Sequence, residues 1–162
     1  MKLTIYTDGA CSENYRDNGV ATGKGGWAFV ILESVPGEDM KIIRKGFGRK
    51  IGATNQEMEI TAVAEAFLSI KESPEQIILY SDSAYVINCL KDKWYVKWRN
   101  NGWLNSKTKP VENKLEWERM IEVVEKFNVI FFHVKRNTTK YIQMVDSMAK
   151  QASKTGTIQE LL

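Results

Sequence analysis

Leu3 to Asp8 alternates apolar and polar side chains and stops at Gly9, which predicts a strand. Trp27 to Glu33 and Lys41 to Gly48 also read as strands, separated by the turn signal Pro36-Gly37. Between the first two lies Asn14 to Gly26, rich in Gly, Asn and charge, which reads as a loop. The period then changes. Thr54 to Glu72 follows a helical repeat that ends before Ser73-Pro74, and Thr54-Asn55-Gln56-Glu57 fits a capping box with Thr54 as N-cap and Glu57 at N3. Gln76 to Asp82 is a short apolar strand and Ser83 to Leu90 a short helix. Glu112 to Phe127 is amphipathic and helical, Asn128 to Val134 a strand, and Tyr141 to Ser153 a final helix. This order predicts an α/β fold: a five-stranded mixed sheet, three antiparallel strands then two parallel, with helices on both faces.

Composition narrows the class. The chain has 162 residues, 43% hydrophobic and 27% charged, which suits one domain over residues 1–162 and excludes a disordered or disulfide-stapled chain. The longest apolar run, Trp27 to Leu32, is far short of the roughly 20 residues of a membrane helix. Met1 to Asp8 carries an acid in its only apolar stretch and reads as a strand, not a signal peptide. Cys11 and Cys89 form no Cys-x-x-Cys pattern and read as free thiols of a reducing compartment. A cytoplasmic monomer without membrane contact is the expectation.

Net charge is +3, and its distribution says more than its sum. Lys91 to Lys109 holds six basic residues (Lys91, Lys93, Lys97, Arg99, Lys107, Lys109) and one acid, Asp92, together with Trp94, Trp98 and Trp103. Such a stretch suits either a nucleic-acid backbone or a solvated helix whose tryptophans pack on the core.

The acids point to chemistry. Ile5-Tyr6-Thr7-Asp8-Gly9 and Leu79-Tyr80-Ser81-Asp82-Ser83 share one pattern at two strand ends. With the helix from Thr54 as crossover, the strands run parallel and both aspartates lie at carboxyl ends, where open α/β sheets place ligands; helix capping is the other use of such acids. Glu59 shares a helix face with Val63, Ala66 and Ile70, so it points at the core. Asp146 flanks the face of Ile142, Val145, Ala149 and Ala152 on the last helix. No Lys or Arg lies within three residues of Asp8, Glu59 or Asp82. A buried unpaired carboxylate costs on the order of several kcal/mol, and converging ones take protons unless a cation intervenes. Magnesium favours oxygen ligands, and paired ions can clamp the attacking and leaving oxygens of a phosphodiester.

Tyr6-Thr7-Asp8-Gly9-Ala10, Thr54-Asn55-Gln56-Glu57-Met58-Glu59, Tyr80-Ser81-Asp82-Ser83-Ala84-Tyr85-Val86 and Val145-Asp146-Ser147-Met148-Ala149 resemble, in order and spacing, the four acidic motifs of type 1 ribonuclease H. The resemblance runs from Leu3 to about Ser153. It implies a ribonuclease H-like fold and an endonuclease that hydrolyses the RNA strand of RNA/DNA hybrids, leaving 5′-phosphate and 3′-hydroxyl ends. It implies two Mg2+ ions, or Mn2+, held by Asp8, Glu59, Asp82 and Asp146. Residues 91–112, with Trp94, Lys97, Trp98, Arg99, Trp103, Lys107 and Lys109, are similar to the basic protrusion of the arm-bearing members, which contacts the DNA strand. Asn14, Asn55 and Gln56 match the minor-groove contacts, and Thr54 and Asn113 part of the DNA-phosphate pocket. Thr54 as a simple cap and Asn55 as a turn residue remain the structural alternatives.

Three departures stand out. Val134-Lys135-Arg136-Asn137 puts Asn137 where the family usually carries a loop histidine, and asparagine is neither acid nor base near neutral pH. The chain's one histidine, His133, falls in the preceding strand and reads as a packed or edge residue. The loop after Asn14 is longer than the family's turn, and Ala84 stands where glutamine is common. Asn137 in place of the loop histidine leaves a hybrid-binding protein with weak or no cleavage as the alternative.

Overall fold

The computed structural model describes residues 1–12, 16–17, 20–21 and 23–156, the four residues at 16–17 and 20–21 by backbone only. The strands are β1 (Lys2–Ser12), β2 (Arg16–Asp17), β3 (Val20–Ala21), β4 (Gly23–Ser34), β5 (Lys41–Ala53), β6 (Gln76–Ser81) and β7 (Val129–His133). The helices are α1 (Asn55–Leu68), α2 (Ala84–Asp92), α3 (Trp94–Asn101), α4 (Lys114–Val124) and α5 (Lys140–Thr155).

The main sheet runs β5-β4-β1-β6-β7. β1 and β5 both pair antiparallel with β4, β6 joins β1 in parallel from Lys2↔Gln76 to Thr7↔Ser81, and β7 joins β6 in parallel. The expected mixed sheet is therefore present. Strand alternation sends Leu3, Ile5, Phe29, Ile31, Ile77 and Leu79 into one core, where they meet Ile60, Val63 and Phe67 of α1 and Trp117 and Met120 of α4. Tyr6, Ala28, Val30 and Leu32 face the other way and meet Ile142, Val145, Met148 and Ala149 of α5. Helices thus cover both faces. No helix among the described residues is long and apolar enough to cross a membrane.

The boundaries need correction where glycine misled. β1 continues past Asp8 to Ser12, and the expected loop Asn14 to Gly26 holds strand residues instead: β2 and β3 pair within it and Gly23 to Gly26 belongs to β4. These glycines read as loop signals, but they are strand residues under close packing. A Cβ on Gly26 would lie 2.2 Å from the Ala149 carbonyl oxygen of α5. β5 likewise continues past Gly48 to Ala53, and α1 stops at Leu68, short of Glu72. The basic stretch contains a helix of its own, α3. Asn14 lies outside the described residues.

Candidate active site

The first carboxylate sits where β1 leaves its parallel partner. Pairing with β6 ends at Thr7↔Ser81, so Asp8 is the first β1 residue beyond it. Asp82 follows the end of β6 in the same way. It is fixed from both sides: the Ser83 N–H donates to Ser81 Oγ at 3.0 Å, the Val134 N–H donates to the Ser81 carbonyl at 3.0 Å, and a His133 ring nitrogen lies 3.1 Å from the Asp82 carbonyl oxygen. His133 is the last residue of the edge strand β7, as expected, and its ring serves this backbone contact.

Glu59 arrives through α1. Thr54 is the N-cap, its Oγ accepting from the Glu57 N–H at 3.3 Å, and this starts the helix one turn before Glu59. Gly9 then lets the helix touch the strand: a Cβ there would lie 2.4 Å from Glu59 N and 2.6 Å from the Met58 carbonyl carbon. The contact delivers Glu59 beside Asp8. One carboxylate oxygen from each of Asp8, Glu59 and Asp82 falls within 4.8 Å of the others. Asp8 is 3% exposed and Glu59 5%.

This arrangement is electrostatically unfavourable as it stands. Burial, reinforced by the charges of Glu59 and Asp82, raises the Asp8 pKa far above the carboxylate range. Burial and the Asp82 charge raise Glu59 as well. Glu59 Oε2 is buried without a hydrogen-bond partner among the described residues. An orphaned oxygen among convergent hard donors is what a divalent cation would satisfy, so the residues present fit such an ion.

Asp146 joins from α5 in a different state. Its Oδ1 accepts from Arg136 Nη2 at 3.2 Å and its Oδ2 lies 3.0 Å from Lys150 Nζ. Burial raises its pKa, but the Lys150 hydrogen bond, the contact with Asp8 and the charges of Lys150 and Arg136 outweigh burial and lower it. The sequence showed no cation near the first three acids, and the fold brings two to the fourth. Lys150, one turn after Asp146, was visible as an i, i+4 pair. Arg136 carried no such signal, because its partner lies across a loop.

These groups line a cleft of about 620 Å³ that also takes in Asn55, Gln56, Ser83, Ser153 and Lys154. Asn55 and Gln56 are exposed on its rim at the start of α1. Asn137 does not line it: the residue is exposed with φ 62, and its carbonyl accepts from Gln143 Nε2 at 3.0 Å. Asn113 precedes α4 with φ 61 and makes no side-chain cap hydrogen bond.

The arm is built from its aromatics. Trp98 is 8% exposed and stands 5.6 Å, centroid to centroid, from both Trp103 and Trp117. Trp94 and Trp103 are half-buried against the same core. Of the two uses its sequence allowed, Trp98 takes the structural one. Arg99 pairs with Glu125 at 3.1 Å and stacks over Tyr95. Lys97, Lys107 and Lys109 are exposed and in no ion pair among the described residues. Asn101, the last residue of α3, bonds through its side chain to Leu104, and Asn105 through its own to the Lys107 and Lys109 N–H groups.

Comparison with known proteins adds an independent line. The family model described as RNase H matches residues 1–154. A protein of Clostridium botulinum named Ribonuclease H is 40% identical over 152 residues, covering 93% of this chain and 95% of its own length. One of the same name from Prosthecochloris aestuarii is 36% identical over 156 residues, covering 96% and 97%. The crystal structure of LC9-RNase H1 superposes with a TM-score of 0.82 at 22% identity, covering 98% of this chain and 74% of that one. LC11-RNase H1 in complex with RNA/DNA hybrid superposes at 0.67 and 17% identity, covering 95% and 98%.

Proposed function

The chain belongs to the RNase H family, and from that premise we propose that it is a divalent-metal-dependent endonuclease cutting the RNA strand of RNA/DNA hybrids by a two-ion mechanism. The observation that carries this reading is the convergence of Asp8, Glu59 and Asp82 within 4.8 Å, two of them buried. Magnesium, or manganese, is the ion class that suits such all-oxygen donors. Held by these carboxylates, the ions would offset their charge and supply Lewis-acid activation of water and phosphate for in-line attack at phosphorus.

The chain's own residues do the rest. Asp8, Glu59 and Asp82 would hold the cations beyond the carboxyl end of β6, and Asp146 would complete the set from α5. Asn55 and Gln56 stand on the rim of the cleft, where small polar side chains suit a 2′-hydroxyl in a shallow minor groove. Thr54 accepts the helix N–H, which leaves its O–H able to donate to a phosphate of the DNA strand. Asn113 is assigned to the same phosphate, and Asn14 to the minor groove. Lys97, Lys107 and Lys109 present charge to the DNA backbone, while the tryptophans hold the arm in place. Reaction leaves a 5′-phosphate and a 3′-hydroxyl.

The test is a strand-labelled hybrid incubated with the protein and magnesium. Cleavage confined to the RNA strand, with those ends, is expected. Tight hybrid binding with no products at high protein concentration would overturn the reading in favour of a binding protein.

A further inference from the structure

The loop between β7 and α5 sends one side chain into the cleft, and it is not Asn137. Of residues 134–139 only Arg136 lines the cleft. Its side chain is 58% exposed and its bond to Asp146 uses a single nitrogen, Nη2. A guanidinium has five N–H donors in a planar fork, so most of this one's capacity faces the cleft or solvent. Asp146 does not depend on it alone, because Lys150 of the same helix holds the other carboxylate oxygen. Arg136 can leave while Asp146 stays fixed.

We propose that Arg136 is a phosphate-binding residue of this site, which rests on Asp146 between turnovers and grips the 5′-phosphate that strand cleavage produces. The chemistry of the product supports it. The diester carries one negative charge, whereas a terminal phosphate carries about two at pH 7. A guanidinium matches two phosphate oxygens with paired N–H donors. Arg136 stands beside the Asp8–Asp146 contact, where that charge develops under the proposed function on which this inference rests. Permanent charge also means that the group needs no titration to act.

The test is binding to a hybrid whose RNA strand carries a nick, with calcium replacing magnesium and an electrophoretic check that the strand stays intact. Two versions are compared, with a 5′-phosphate or a 5′-hydroxyl at the nick. The native protein is expected to favour the phosphate roughly tenfold, the scale of one charge-assisted hydrogen bond. Arg136→Ala abolishes that preference and Arg136→Lys keeps part of it. Lys135→Ala, which removes the same charge from the same loop outside the cleft, leaves it intact. A full preference in Arg136→Ala, or none in the native protein, overturns the proposal. Failure of the native protein to bind either hybrid instead overturns the hybrid-directed function itself.

Discussion

The carboxylate cluster and the basic arm hold their charges by opposite means. Two of the acids, Asp8 and Glu59, are buried and Asp82 and Asp146 half-buried, where regular elements meet over glycine: Gly9 admits α1 and Gly26 admits α5. Their charges are forced together, and two of them are pushed toward the protonated state. In the arm the cations are exposed, while Trp98 is buried and Trp94 and Trp103 half-buried, with Trp98 packed against Trp103 and Trp117. The cluster holds unfavourable electrostatic energy that a cation can relieve. The arm holds almost none, because water screens exposed lysines. Under the proposed function, the first region would take divalent cations and the second would meet the polyanionic backbone.

The largest expected effect comes from relieving the cluster without an ion. Asp8→Asn or Asp82→Asn removes a ligand and is expected to abolish cleavage while leaving hybrid binding in place, read by cleavage and binding assays on the same preparation. Asp8→Asn carries a second signature. The raised pKa of Asp8 means that the ion-free native state binds more protons than the unfolded chain above the ordinary carboxylate pKa. Its stability therefore falls as pH rises from that value toward the raised one. The asparagine variant is expected to lose much of that slope in thermal unfolding without divalent ions. An unchanged slope would place the repulsion elsewhere.

Next comes the arm's anchor. Trp98→Ala is expected to destabilise the fold by about 3 kcal/mol in denaturant unfolding, the scale of emptying a buried aromatic site. A change below about 0.5 kcal/mol, typical of surface sites, would show that the tryptophan is not structural. The smallest effect lies on the arm's surface. Neutralising Lys97, Arg99, Lys107 and Lys109 together is expected to weaken hybrid binding and to flatten its salt dependence, by about 0.7–0.9 in log–log slope for each phosphate that the arm no longer neutralises. Because Arg99 already pairs with Glu125, the lysines should account for most of the change.

The same contrast explains what the sequence made legible. Thr54 announced the start of α1, and the spacing from Glu59 to Ala66 announced its inward face, because a cap and a helical period are local signals; the Glu57 carboxylate, read as the other half of a capping box, pairs with Lys50. The shared pattern at Asp8 and Asp82 announced parallel strands for the same reason, although β1 runs on to Ser12, so Asp8 marks the end of pairing with β6 and not the end of its strand. What stayed hidden depends on tertiary partners. Gly23 to Gly26 reads as a loop until its neighbours are in place: β1 and β5 against Gly23, Met58 of α1 against Gly25 and α5 across Gly26. Trp98 reads equally as a stacking surface or a core residue until Trp117 is brought beneath it. Arg136 gives no hint of Asp146, ten residues on, because a loop and a helix turn intervene.

The central claim is that these carboxylates hold divalent cations, and a crystal soaked in manganese tests it directly through the anomalous signal of the ion. Density is expected between Asp8, Glu59 and Asp82, with Asp146 turned toward it when hybrid is present. Ordered manganese found only elsewhere on the molecule, with the three carboxylates still unliganded at saturating ion and substrate, would contradict it.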